Sequence, residues 1–165
     1  MNLLPDAEAL YDALREQLNA AMSHEAKLVG IYSGGAWIAE RLANDLHSKP
    51  ALGKLDVSFY RDDYKTAGLK SVTRRTEIPF EVDGAHIVLI DDVLYTGRSV
   101  RAAINELFDY GRPASISLAV LVDRGGRELP IQPDFFGEQM IVANDVSLVL
   151  TQSEAGIFAL SAEKR

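Results

Sequence analysis

The chain has 165 residues, 47% of them hydrophobic and 25% charged, which suits one domain with a real core, and no apolar run approaches the roughly 20 residues of a membrane helix. A formal net charge of -7 disfavours indiscriminate attraction to nucleic acid, and the lack of cysteine excludes disulfides, thiolate zinc sites and thiol nucleophiles together. The three histidines, His24, His47 and His86, are scattered without metal-ligand spacing, and acids stand near the start where a secretory signal places basic residues, so a cytoplasmic protein with no membrane partner is expected.

In chain order, Leu10, Tyr11, Leu14, Leu18 and Ala21 recur at helical spacing and predict an amphipathic helix over residues 6–22. KLVGIY, starting at Lys27, predicts a buried strand. Ser33, Gly34 and Gly35 break it before a second helix that carries Trp37, Ile38, Leu42 and Leu46. Pro50 and Gly53 mark a turn, residues 55–60 (LDVSFY) alternate as a strand, and the polar stretch 61–76 lacks periodicity and reads as a loop. Residues 86–90 give the strongest buried-strand signal; helical spacing resumes over residues 99–110 through Val100, Ile104, Leu107 and Phe108, and Gly111 stops it. SISLAVLV, from Ser115, predicts another buried strand, and residues 146–150 and 157–160 later ones. The alternation implies a single α/β domain over residues 1–165, with a mostly parallel central sheet flanked by helices.

The chemistry concentrates in residues 87–99, IVLIDDVLYTGRS: a hydrophobic strand, two acids, a short connection, then Thr-Gly-Arg-Ser. In an open parallel sheet ligands bind beyond the carboxyl ends of the strands, where Asp91 and Asp92 fall and can accept ribose hydroxyls. The backbone amides of Thr96, Gly97, Arg98 and Ser99 open a helix, and amides at a helix start favour a phosphate. Acidic pairs at strand ends also occur as magnesium sites of nucleotide hydrolases, and Thr96 and Ser99 alone read as helix caps. A P-loop is excluded, because Gly68, Leu69, Lys70 and Ser71 carry an inserted leucine and lack the upstream glycine. Ser33 as a nucleophile lacks both the Gly-x-Ser-x-Gly pattern and an obvious histidine partner.

The strand, acid pair and Thr-Gly resemble the signature of the type I phosphoribosyltransferases. The longer strings VLIDDVLYTGRSVRAAINEL and GRPASISLAVLVDRGGRELPI resemble the pyrimidine operon regulator and uracil phosphoribosyltransferase family in particular. The resemblance implies the type I fold with a small hood over about residues 123–145. It implies a pentosyltransferase that passes phosphoribosyl from 5-phosphoribosyl-1-pyrophosphate (PRPP) to uracil, giving UMP and pyrophosphate in pyrimidine salvage. Asp91 and Asp92 then hold the ribose, directly or through waters on a Mg2+ ion held mainly by substrate and water, and Thr96, Gly97, Arg98 and Ser99 take the 5-phosphate. Ser33, Gly34 and Gly35 fall at the pyrophosphate loop. That loop often carries an arginine in the family; here it is absent, which shifts weight to Arg61 in the FYRDD stretch. Uracil is assigned to backbone groups around Val122, Asp123 and Arg124, although Arg124 and Arg127 also read as solvated charges flanking a Gly-Gly turn. The family often has a histidine at the position of Gly126. Residues 64–76, with Arg74 and Arg75, match a lid over the site. A homo-oligomer is expected. The resemblance carries an alternative, a UMP-sensing regulator that binds pyr operon messenger RNA. An acid-rich first helix disfavours it, with Arg15 its one cation against Asp6, Glu8, Asp12 and Glu16.

Overall fold

The computed structural model describes residues 3–58 and 75–165. The elements in chain order are α1 (Ala7–Ala21), β1 (Lys27–Ile31), α2 (Gly34–Asp45), β2 (Leu52–Leu55), β3 (His86–Leu94), α3 (Arg98–Tyr110), β4 (Ser115–Asp123), β5 (Phe135–Gln139), β6 (Val146–Gln152) and β7 (Phe158–Lys164). Helix α1 begins where the pattern predicts because Asp6 caps it, Oδ1 accepting the Glu8 N–H at 3.0 Å. No helix among the described residues is long and apolar enough to cross a membrane.

Strands β1 to β5 form a five-stranded parallel sheet in the order β2-β1-β3-β4-β5. Because successive side chains alternate between faces, the apolar runs feed two cores at once. Leu28, Val88, Ile90, Ala119 and Leu121 pack with Leu14 and Leu18 of α1 and Ile38 and Leu42 of α2. Val29, Ile31, Ile87, Leu89, Leu118 and Val120 pack with Val100, Ala103 and Leu107 of α3. Fully burying each such Leu or Ile stabilises the fold by about 1.5–3 kcal/mol, and in β3 the apolar run from Ile87 to Ile90 is unbroken until the acids at its end.

The expected fold class is the observed one, with three local differences. Strand β2 ends at Leu55, where the sequence pattern predicts a strand to begin. After it the Asp56 N–H donates to Thr76 Oγ1 at 3.2 Å and Lys54 exchanges main-chain bonds with Glu77, while the ladder with β1 ends at the Ile31–Leu55 pair, where β1 itself ends. Strand β5 is not anticipated by the pattern and lies inside the 123–145 span assigned to a hood; residues 124–134 of that span run irregularly past the ends of β3 and β4. Finally, β6 and β7 form their own antiparallel hairpin rather than joining the sheet.

That hairpin is fastened to the helical face. Arg41 of α2 donates to both carboxylate oxygens of Glu8 at 2.8 and 2.7 Å, and its guanidinium lies 4.1 Å from the Tyr11 ring and 5.1 Å from that of Phe158. Glu8 also accepts the Phe158 N–H at 2.7 Å. One ion pair therefore ties α1, α2 and β7 together.

Strand order fixes where a ligand belongs. From β1 the chain moves outward to β2, and from β3 it moves the other way through β4 to β5, so the connections diverge between β1 and β3 and open a crevice beyond their carboxyl ends.

Candidate active site

Two loops meet at that crevice. The first follows β1, where a cis Tyr32–Ser33 peptide leads into α2 at Gly34. The second is the end of β3. Gly34 packs directly on the side chain of Asp92, and Gly35 on the main chain of Ile90 and Asp91. The expected pyrophosphate loop and the expected ribose acids are thus in contact, although they are far apart in sequence.

The two acids differ in exposure. Asp91 is buried, at 5% relative exposure, and its Oδ1 accepts the Asp92 N–H at 2.9 Å. Asp92 is more accessible, and its Oδ1 accepts the Val93 N–H at 2.8 Å. Each carboxylate is thereby oriented by a main-chain donor.

Beyond the acids the chain turns through Tyr95, Thr96 and Gly97 into α3. Gly97 is the N-cap residue, with φ of 92°, a left-handed conformation that glycine adopts without steric penalty. Thr96 Oγ1 accepts the Arg98 N–H at 3.2 Å and sets the turn. The helix proper starts with the Arg101 N–H donating to the Gly97 carbonyl at 3.0 Å, so the first-turn amides, Ser99 among them, have no acceptor within the helix. Such an end attracts an anion, and Arg98 adds a cation on the exposed side, paired with Glu128 at 2.7 Å.

Residues 124–131 wrap around this loop. The Glu128 and Leu129 N–H groups donate to the Thr96 carbonyl at 3.0 and 3.2 Å, Arg127 Nη1 donates to the Tyr95 carbonyl at 3.0 Å, and the Arg124 N–H donates to that of Leu94 at 3.1 Å. Asp123 organises the wrap from below. Burial works against its ionisation, but Arg127 at 2.7 Å, the Gly125 N–H and the Gln139 amide outweigh burial and hold its carboxyl below the usual carboxylate range.

The structure brings Ser33, Gly34, Gly35, Asp91, Asp92, Thr96, Gly97, Arg98 and Ser99 to one end of the sheet. Val122, Asp123 and Arg124 lie at the same end, and several of their polar groups are engaged within the protein. Val122 sits in the ladders with β3 and β5, the Asp123 carbonyl accepts from Met140 at 2.9 Å, and the Arg124 guanidinium donates to the carbonyls of Val146 at 2.6 Å and Ala143 at 3.0 Å. Arg61, Arg74 and most of the expected lid fall outside the described residues; Arg75 at its end is exposed. Sequence reading missed Tyr95, whose ring and carbonyl anchor the turn, because nothing local announces its stacking partners.

Comparison with known proteins identifies the family and the fold. The phosphoribosyl transferase domain family matches residues 4–152. A bifunctional protein PyrR of Ralstonia nicotianae is 54% identical over 158 residues, covering 93% of this chain and 90% of its own, and one of Pseudomonas aeruginosa is 47% identical over 146 residues, covering 86% of each. In fold, a hypoxanthine-guanine phosphoribosyltransferase of Bacillus anthracis superposes with a TM-score of 0.66 at 14% identity, over 88% of this chain and 86% of that one. The chain therefore belongs to the type I phosphoribosyltransferases and, within them, to the PyrR family of pyrimidine operon regulators and uracil phosphoribosyltransferases, the family its central motif resembles.

Proposed function

We propose that the protein transfers phosphoribosyl from PRPP to N1 of uracil, forming UMP and pyrophosphate. The observation that carries this reading is the contact between Gly34 and Asp92 at the sheet's switch point, with the amide-lined start of α3 a few residues further on. That arrangement offers a diphosphate site, a ribose acceptor and a monophosphate site in the order in which PRPP presents these groups.

In this reading the first-turn amides of α3, with the Thr96 and Ser99 hydroxyls and Arg98, hold the 5-phosphate. Asp92 accepts the ribose hydroxyls, and the buried Asp91 orients Asp92 through its N–H. Main-chain groups of Ser33, Gly34 and Gly35 face the pyrophosphate, with Arg61 as its side-chain cation. Charge-assisted hydrogen bonds of this kind contribute roughly 1.5–3 kcal/mol each. The hard oxygens of Asp91 and Asp92 fit Mg2+. The ion is assigned mainly to diphosphate oxygens and water, since Mg2+ keeps several waters and pairs with diphosphate. When bound, it neutralises charge on the leaving pyrophosphate. The protein's own contribution is to fix ribose and phosphate at the mouth of the crevice and to exclude water from a cation-like ribosyl centre.

Uracil is preferred over other bases because of the kinship with the PyrR relatives, with the base placed near the residues that follow β4. Pyrophosphate release from PRPP and Mg2+, measured with uracil, orotate, hypoxanthine, guanine and xanthine in turn, tests the reading. Turnover is expected with uracil; turnover only with another base, or none, overturns it.

The name bifunctional, carried by the PyrR relatives, favours a second function on the same fold: UMP-dependent binding of pyr operon messenger RNA. Helix α1 is a poor surface for it, since Arg15 is paired with Asp12 at 3.1 Å among further acids. RNA contact would use other faces. Affinity for a pyr leader RNA that rises with UMP and falls steeply with salt supports this second function; salt-independent or absent binding removes it.

A further inference from the structure

We propose that Arg124 is a positioning residue for the phosphate loop, acting through Tyr95 to hold the turn that precedes Thr96. The proposal rests on the donor-binding reading above only for its catalytic consequence.

Arg124 is 3% exposed, yet it makes no ion pair with a carboxylate among the described residues. Its Nη atoms donate to the carbonyls of Val146, Ala143 and Val142, at 2.6, 3.0 and 3.4 Å, and its buried Nε has no hydrogen-bond partner among the described residues. What it does meet is the Tyr95 ring, 4.0 Å from Cζ to centroid, with Arg165 at 4.8 Å from the same ring. A second cation beside a buried one opposes charging, and burial is the larger of the two effects that push the Arg124 guanidinium below its ordinary pKa. The guanidinium is thus held between those carbonyls on one side and the Tyr95 ring on the other, and a desolvated cation against a ring at this distance is among the stronger cation–π contacts.

The consequence follows from chain connectivity. Tyr95 lies between the acid pair and Thr96, and its carbonyl is also held by Arg127. Fixing its ring fixes the backbone that aims the α3 amides. Arg165 reaches the ring from the end of β7, and its Nε donates to Ser147 Oγ at 2.8 Å, while Arg124 grips the main chain from residue 142 to residue 146. The β6–β7 hairpin is thereby coupled to the phosphate loop through the Tyr95 ring, beside the Arg124 main-chain bond to Leu94.

The test compares wild type with Arg124→Met, which keeps length but removes the cation, with Arg124→Lys, which restores charge without the planar fork, and with Tyr95→Leu, which breaks the stack from the other side. Amide hydrogen exchange over residues 95–99 is measured without substrate, and KM for PRPP and kcat are measured with uracil. Arg124→Met and Tyr95→Leu are each expected to speed exchange over this segment and to raise KM for PRPP by about ten-fold, with a smaller fall in kcat and partial rescue in Arg124→Lys. A lower Tm in both with exchange and KM as in wild type makes Arg124 merely structural and overturns the proposal. Because exchange needs no PRPP, a wild-type protein that fails to turn over PRPP sinks the functional reading alone.

Discussion

Gly34 and Asp92 touch across the switch point so closely that a Cβ on Gly34 would stand 2.8 Å from the Asp92 carboxyl carbon and 2.9 Å from its Cβ. Real carbon atoms do not approach so near. Asp92 is short and is anchored through Oδ1 to the Val93 N–H, so it has little room to yield. Gly34→Ala should therefore displace either the acid or the loop that faces it. Misplacing a reacting group by about 1 Å lowers rates on the order of 100-fold. We expect kcat/KM for PRPP to fall by about that factor, with only a modest drop in Tm; activity near wild type would mean that the contact does not set the geometry of the site.

Asp91 and Asp92 are neighbours with separable consequences. Asp92→Asn keeps shape and loses charge at the more accessible position, so kcat/KM should fall roughly 10- to 100-fold with Tm nearly unchanged, as expected when one charge-assisted bond to substrate is lost. Asp91→Ala removes the acceptor of the Asp92 N–H at a buried position. It should lower Tm as well as activity. Steady-state kinetics and calorimetry on the pair distinguish the roles, and a large Tm loss in Asp92→Asn would contradict them.

What could be read from sequence follows the range of the forces involved. Strand β3 was legible because its burial on two faces demands an unbroken apolar run, and the acids stand out where the run ends. The start of α3 was legible because Thr-Gly-Arg-Ser is a local turn. Strand β5 was not: FFGEQ is half-buried at the sheet edge, and it is held by distant partners. Gln17 of α1 donates to the Phe136 carbonyl at 2.8 Å and accepts its N–H at 3.3 Å. Arg124 shows the same limit at the site. Its sequence context, beside a Gly-Gly turn, suggests solvent or base, while its surroundings are a ring and three carbonyls supplied by other segments.

Acid should loosen the junction of helices and hairpin. The Arg41 side-chain bond, opposed by burial and helped by the Phe158 N–H, holds the Glu8 carboxyl below its ordinary value of 4.5. A folded pKa below the unfolded one gives a contribution that is complete above the unfolded value and is lost as pH falls through the lowered folded value. Glu8→Gln should thus cost about 1 kcal/mol at neutral pH, a modest figure because the pair is partly exposed. The Tm gap between wild type and Glu8→Gln should stay constant down to pH 4.5 and narrow below it. A gap that is independent of pH through the acid range would show that the charge of Glu8 does not matter.

Gly125 and Gly126 offer a matched comparison, since both have left-handed φ, 73° and 81°, and only their surroundings differ. A Cβ at Gly125 meets nothing within 4 Å, whereas one at Gly126 comes within 2.8 Å of Tyr95 Cδ2. Backbone strain from alanine is the same at both positions, about 1–2 kcal/mol. Gly125→Ala should therefore show that stability loss alone. Gly126→Ala adds a collision with a ring that Arg124 already presses, so the ring and the phosphate loop must shift together. The expected result is a larger Tm loss in Gly126→Ala than in Gly125→Ala, and a KM for PRPP raised about ten-fold or more only in Gly126→Ala. Equal KM values in the two would mean that movement of Tyr95 does not reach the loop, because the strain common to both substitutions cancels in the comparison.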